Sequence, residues 1–386
     1  MKKSINSSSS ISRRNFLGSC GKMTTISVLS SFLQLKLANS LMAALPTGSI
    51  TDYKALVCVF LHGGNDSFNM LTPYLQPEYD LYQSVRSNLA LDRESLLAIY
   101  DTENADRRWY GLNPLMPEVH SLYDSHHLAF ISNVGTLVQP TTANDYVNDV
   151  GLPQGLFSHL EQQLAWQSSI PDSISQTGWI GRMSDIMNDS STTGTETVSM
   201  NISTAGANLL QAGVQVGSVN VGSAGANTLG DYNNTPSVKQ AIDKSLAQNY
   251  KNVIRNHYNH IRKETIEQAN LIDDATSGIS LATVFPNTSI GQQLKQAALS
   301  IAARDQLGVK RQTFFVSMPG YDSHAALLVS HSKLLPELSA ALQAFDNAML
   351  ELGVHDNVTT YTASDFGRSL TSNGDGTDHG WGGIKW

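Results

Sequence analysis

The sequence predicts an α/β fold with a mainly parallel central sheet flanked by helices, and three features carry that expectation. Residues 55–61 read Ala-Leu-Val-Cys-Val-Phe-Leu, a near-continuous apolar run of the kind buried on both faces of a parallel sheet. Residues 327–352 place Leu328, Leu334, Leu335, Leu338, Leu342, Phe345, Met349 and Leu352 near i, i+3, i+4 spacing, which predicts a helix packed on that sheet. Apolar run after apolar run ends in polar or glycine-rich residues, the pattern of a site at one edge of a doubly wound sheet.

The first strand stops at His62-Gly63-Gly64-Asn65-Asp66-Ser67, where paired glycines permit a tight turn. A second strand is expected over residues 128–132, followed by Asn133-Val134-Gly135-Thr136. A third, over 313–316, runs into Pro319-Gly320-Tyr321-Asp322-Ser323-His324, and a fourth, over 358–362, into Ser364-Asp365-Phe366-Gly367-Arg368. Polar punctuation makes helices at 237–275 and 290–307 weaker expectations. Residues 192–235, rich in Gly, Ser, Ala and Asn with valines at 214, 216, 219 and 221, read as short strands and loops, either a cap over the site or a surface excursion.

Charge narrows the function classes. The net charge is −8, but residues 1–45 hold six basic side chains and no acidic one, leaving 19 basic against 33 acidic residues, or −14, for the remainder. An acidic surface repels phosphate backbones, so no nucleic-acid partner is expected. Of the two cysteines, Cys20 lies in the leader and Cys58 lies alone in the first strand, which excludes a disulfide framework and reads as a small core residue.

The leader itself has Lys2, Lys3, Arg13 and Arg14, then a modestly apolar run over 23–37 and small residues at Ala38, Ser40, Ala43 and Ala44, the layout of a signal peptide. Its Ser-Arg-Arg-Asn-Phe-Leu string resembles the twin-arginine export signal. Residues 1–45 are therefore expected to be removed, the twin-arginine translocase to be an export partner, and the mature protein to be periplasmic or secreted. The run is shorter than the roughly 20 apolar residues that cross a bilayer, so no membrane span is expected in the mature chain.

Two pairs carry candidate chemistry. Asp322 and His324 follow a strand, and Asp378 and His379 are adjacent in the glycine-rich stretch Asn373-Gly374-Asp375-Gly376-Thr377-Asp378-His379-Gly380. Carboxylates and imidazoles on strand-end loops suit a divalent metal, zinc first, with magnesium, manganese or calcium in more oxygen-rich sites. The same residues also read as ordinary turn formers. Ser158 precedes a helix-like segment whose N-terminus could stabilise a phosphate or sulfate, and it equally reads as an N-cap. Arg182 and Arg368 could pair with an anionic substrate or act as structural clamps.

Residues 61–69 with Pro73, 156–166 around Phe157-Ser158-His159, Thr-Gly-Trp-Ile-Gly-Arg at 177–182, 320–324 and 364–383 together resemble the twin-arginine-exported DUF1501 family, placed within the alkaline phosphatase and sulfatase superfamily. The resemblance implies an alkaline-phosphatase-like domain over 46–386 with one or two metals. Asp66 would be the first-strand ligand, Asp322 with His324 the second group, Asp365 the aspartate of a Ser-Asp-His-Gly motif, and His379 the late histidine. Ser158 would attack phosphorus or sulfur. Phe366 departs from the pattern where that register expects a histidine, so either one metal is lost or the loop folds back and Asp378-His379 supplies the pair. The family pattern also continues beyond residue 386, implying C-terminal truncation. The expected function is an exported metal-dependent hydrolase of small phosphate or sulfate esters; the alternative is a non-catalytic exported binding protein that keeps the fold.

Overall fold

The computed structural model describes residues 52–100, 109–189, 200–222, 225–226, 232 and 235–386; the leader expected over 1–45 lies outside them, as does part of the 192–235 stretch. In chain order, strand β1 (Lys54–His62) leads into a small antiparallel sheet of β2 (Leu71–Pro73), β3 (Leu97–Tyr100) and β4 (Trp109–Leu112), with helix α1 (Glu78–Arg86) between β2 and β3. Helix α2 (Pro117–Asp124), strand β5 (Ile131–Val134) and helices α3 (Ala143–Val147), α4 (His159–Ser168) and α5 (Trp179–Asp189) follow. Short strands β6 (Asn201–Ser203), β7 (Val219–Gly222) and β8 (Gly225–Ala226) precede helices α6 (Pro236–Leu246), α7 (Val253–Thr276), α8 (Ser289–Ala302) and α9 (Arg304–Leu307). Then come β9 (Arg311–Pro319), α10 (Leu327–Glu351), β10 (Val358–Ser364), β11 (Arg368–Ser372), β12 (Thr377–His379) and β13 (Gly383–Lys385).

The main sheet runs β10-β1-β9-β6-β7-β8, parallel except for the β7–β8 pair at its edge. β1 is a central strand, and its unbroken apolar run follows from that position. Val57, Val59 and Leu61 enter the larger core with α2, α8 and α10, while Cys58 and Phe60 enter a smaller core with Ile180 of α5 and Trp166 of α4. Alternate side chains therefore meet helices on opposite faces, and a polar residue at any of these positions would lose its water.

The long helix α10 buries Leu327, His331, Leu335, Leu338, Leu342, Phe345 and Met349, a stripe at three- and four-residue steps, and accommodates Pro336. Its N-terminus is capped from a distance. Ala326 offers no side-chain cap, and Asp375 supplies one, accepting the Ala326 N–H on its carboxylate at 2.8 Å and the Leu327 N–H on its carbonyl at 3.1 Å. The glycine-rich loop is thus tied to the start of the helix that follows Asp322 and His324.

Four expectations need adjustment. The strand expected at 128–132 forms at Ile131–Val134, pairs antiparallel with β13 alone and stays outside the main sheet; its residues are largely exposed, whereas Leu128 and Phe130 pack against the core. The helix expected over 237–275 breaks into α6 and α7, because the Asn252 side chain accepts the Arg255 N–H and starts a new helix. The helix over 290–307 divides at Ala303 and stops at Gly308, whose φ of 70° ends it in a left-handed turn. In the 192–235 stretch, β6 and β7 extend the main sheet, with Val219 and Val221 buried on one face. Among the described residues no helix is long and apolar enough to cross a membrane.

Candidate metal centre

Three adjacent parallel strands end level with one another: Leu61 pairs with Ser364, and His62 with Pro319. The loops leaving β1, β9 and β10 therefore share one edge, the usual ligand position in open α/β sheets. Asp365 is the first residue beyond β10, and its carboxylate accepts the Gly63 N–H at 3.3 Å. The Tyr321 N–H donates to the His62 carbonyl at 3.1 Å, which fixes the loop carrying Asp322 against the β1 turn.

Two other segments bring imidazoles to this edge. His159 opens α4, with Nδ1 2.7 Å from Asp365 Oδ2 and Nε2 3.4 Å from Asp322 Oδ2. The β11–β12 hairpin sets His379 opposite Arg368, with His379 Nδ1 2.6 Å from the Phe157 carbonyl and Nε2 3.4 Å from Asp322 Oδ1. His324 adds a third ring: its Nε2 lies 3.2 Å from Asp322 Oδ1 and 2.9 Å from His379 Nε2, and its Nδ1 lies 3.5 Å from Asp378 Oδ1. Phe366 is buried beneath, its ring centroid 4.9 Å from that of His159 and 4.3 Å from that of His379.

The contacts orient the rings. Asp365 and the Phe157 carbonyl face Nδ1 of His159 and of His379, which turns both Nε2 atoms toward the Asp322 carboxylate. A proton or a cation shared between Nε2 and the carboxylate satisfies such contacts, and His324 Nε2 is also within hydrogen-bond distance of His379 Nε2 at 2.9 Å. The three donor atoms of His159, Asp322 and His379 fall within 4.8 Å of one another. An imidazole whose far nitrogen is held by a carboxylate or carbonyl is the usual arrangement around zinc, so these residues fit such an ion. Phe157 holds its accepting carbonyl at a φ of 74°, an uncommon conformation for a bulky residue and one that clusters at functional sites.

Of the residues singled out in the sequence, Asp322, His324, Asp365, Arg368, Asp378 and His379 come together here. Arg368 is buried; its Nη1 donates to Asp322 Oδ1 at 2.8 Å and to the Gly63 carbonyl at 3.2 Å, while Nε and Nη2 bind the Thr377 hydroxyl and carbonyl. Ser158 occupies the N-cap position of α4 without capping it, since its hydroxyl donates to the Glu161 carboxylate. Arg182 is engaged by the Thr177 and Ser168 carbonyls at 2.8 and 2.6 Å, a clamp at the end of α4. Asp66 forms a buried ion pair with Arg86 and accepts the Phe68 N–H, and neither contact belongs to the imidazole cluster.

The family described as "Protein of unknown function (DUF1501)" matches residues 53–386. The chain belongs to the DUF1501 family. No curated protein and no solved structure matches it.

All residues of the centre in this DUF1501 protein lie within the matched span. His159 is the one that sequence reasoning missed: the Phe157-Ser158-His159 string drew attention to its hydroxyl, and only folding across 206 positions brings the imidazole to Asp365. Burial pushes the Asp322 carboxyl upward, but the Arg368 hydrogen bond and charge, with His159 and His324, outweigh it and hold the group below the ordinary carboxylate range. Asp322 and His324 are 46% and 48% exposed, so this face of the DUF1501 centre is open to small molecules.

His331 of α10 is a separate buried imidazole, 2% exposed, with neither ring nitrogen partnered. Burial lowers it to about 4, and the Arg86 charge adds to the effect. Between about 6.5 and about 4 the unfolded state binds the proton and the folded state does not, so stability falls as pH drops through that window. The expected loss is about 3 kcal/mol, read as a falling urea midpoint that His331→Leu flattens; parallel pH profiles for the two proteins would refute it.

Proposed function

We propose that this is an exported metal-dependent hydrolase acting on small phosphate or sulfate esters, with the ion held by His159, Asp322 and His379. The observation that carries the reading is the convergence of two imidazole Nε2 atoms on one carboxylate, each ring being fixed from behind. An imidazole-rich set with one carboxylate favours zinc over magnesium, manganese or calcium. When bound, such an ion lowers the pKa of a coordinated water to about 7 and polarises an ester oxygen.

The chain's own residues do the rest. Asp365 and the Phe157 carbonyl stop the two rings from turning. Phe366 forms a dry floor beneath them. His324, exposed and within reach of Asp378, moves a proton between the reacting ester and solvent. The twin-arginine-like string at 12–17 supports export to the periplasm or beyond.

A second reading, a non-catalytic exported binding protein, is favoured by one observation. Arg182 and Arg368 are both engaged by protein acceptors, leaving neither guanidinium aimed at an anionic ester. Elemental analysis and turnover of p-nitrophenyl phosphate and sulfate separate the readings. Zinc affinity is expected to fall by more than about 100-fold in His159→Gln and His379→Gln, beyond the roughly 10- to 100-fold expected for the supporting Asp365→Asn. Metal binding with no turnover of either ester leaves the binding protein; metal content unaltered in all three variants removes both forms of the metal centre.

A further inference from the structure

A second group of metal-ligating side chains lies outside the centre described above. Helix α2 ends at Asp124, and the turn beyond it, closed by the His127 N–H donating to the Leu122 carbonyl at 2.9 Å, presents His127. Asp346 stands on α10. That helix terminates through Gly353, with a φ of 64°, and the Val354 N–H returns to the Met349 carbonyl at 3.0 Å, which folds His355 back onto the Asp346 side of the helix. The end of α10 with the turn after it thus meets, at one point, a turn 219 residues away from Asp346 in the chain.

The geometry is that of one carboxylate held between two imidazoles. His127 Nδ1 lies 3.0 Å from Asp346 Oδ2, and His355 Nε2 lies 2.9 Å from Asp346 Oδ1. The two ring centroids are 4.3 Å apart, and the three donor atoms lie within 4.8 Å of one another. Behind His355, its other nitrogen faces Asp356 Oδ1 at 3.4 Å, so an imidazole again stands between two carboxylates, as His159 does between Asp365 and Asp322. Among the described ion pairs Asp346 has no lysine or arginine partner. Lys385 lines the same cavity, but its ammonium sits 4.9 Å from the Trp166 ring centroid.

The cavity onto which the cluster opens has a volume of about 490 Å³ and is walled by Phe345, Tyr361, Trp166 and Trp386 among others. The Asp346 side chain is 14% exposed and the imidazoles of both histidines 27%, so the donors are partly withdrawn from water yet reachable through the cavity. Two imidazoles and one carboxylate make the donor set of three-ligand zinc sites, in which a water or other small ligand fills the fourth position. The same donors suit cobalt and nickel and are poor for calcium or magnesium, which prefer all-oxygen sets.

We propose that His127, Asp346 and His355 form a second binding site for a zinc-class divalent metal, independent of the His159, Asp322 and His379 centre. The ion cross-links the turn after α2, the last turns of α10 and the entry to β10, and leaves one coordination position facing the cavity.

The test is zinc titration of the full chain against a chromophoric chelator, with folding checked by circular dichroism. In a His159→Gln/His379→Gln variant, one zinc equivalent is expected to remain, and adding His355→Gln or His127→Gln to weaken that equivalent at least tenfold. In the otherwise unaltered chain, His355→Gln alone is expected to remove one equivalent and leave the His159-dependent one in place. Failure of the first centre therefore reads as loss of a different equivalent. Zinc binding that His355→Gln and His127→Gln leave unchanged in both backgrounds, or a His159→Gln/His379→Gln protein that folds and binds no zinc, overturns the proposal.

Discussion

Asp66→Ala is expected to cost roughly 3–5 kcal/mol of stability. Asp66 and Arg86 form an ion pair whose side chains are both fully buried, and burial with the nearby Arg368 charge already lowers the Arg86 guanidinium to about 10. Arg86 also donates to Asn69 Oδ1 and to the Ser369 and Leu370 carbonyls at 2.8–3.0 Å, so it remains fixed in place when its counter-ion is removed. A buried charge without its partner is the costly outcome, whereas replacing both partners by apolar groups is commonly close to neutral. Urea denaturation should therefore rank Asp66→Ala well below Asp66→Leu/Arg86→Met. A cost below about 1 kcal/mol for the single variant, the range of exposed pairs, would contradict the ion-pair reading. The same residue was a metal-ligand expectation from the sequence, which makes Asp66→Asn informative about metal as well. Unchanged zinc stoichiometry in that variant assigns Asp66 to the ion pair, and loss of an equivalent assigns it to coordination.

What could be read in the sequence follows from how local each signal is. β1 was legible because a strand buried on both faces must be apolar at every position, β9 and β10 by shorter apolar or β-branched runs, and the residues ending them because a sheet edge must turn. Asp322, His324 and Asp365 were found by that logic, as residues beyond strand ends, and His379 as half of an Asp-His pair in a glycine-rich stretch. His159 was not, because the first position of a helix tolerates most residues and nothing local distinguishes a ligand from a surface histidine. The valines at 219 and 221 marked short strands in the 192–235 stretch, but not their place in the main sheet, which is set by β6 pairing with β9 and β7 pairing with β6. Phe366 gained its meaning only from the hairpin. A phenyl ring where a histidine was expected is the floor on which the His379 ring rests. Arg368 and Arg182 look alike in sequence, and only the fold separates one bound to the Asp322 carboxylate from one closing a helix end.

Gly63→Ala should be strongly damaging, because it adds a methyl at a positive φ and against backbone beside the centre. Gly63 has a φ of +118°, and a Cβ there would lie 2.3 Å from the Asp322 backbone nitrogen and 2.8 Å from the Tyr321 carbonyl carbon. Both obstacles are backbone, so no side chain can rotate away. The conformation itself costs roughly 1–3 kcal/mol for a non-glycine residue, and overpacking typically a further 1–3 kcal/mol. Relief requires the Gly63 turn or the Asp322 loop to move; the turn is pinned by the Gly63 N–H on Asp365 and by Arg368 on the Gly63 carbonyl, and the loop by the Tyr321 N–H on the His62 carbonyl and by Arg368 on Asp322. Stability and zinc affinity should consequently fall together, by roughly 2–6 kcal/mol and at least tenfold. Gly320→Ala supplies the control, because its φ of +111° is equally strained while the nearest atoms to an added Cβ are Leu334 methyls at 3.4 Å. That variant should lose only the conformational part, roughly 1–3 kcal/mol, with zinc affinity retained. Equal losses of stability and of zinc binding in the two variants would mean that left-handed backbone, and not the close approach of β1 to the Asp322 loop, is what the glycine provides.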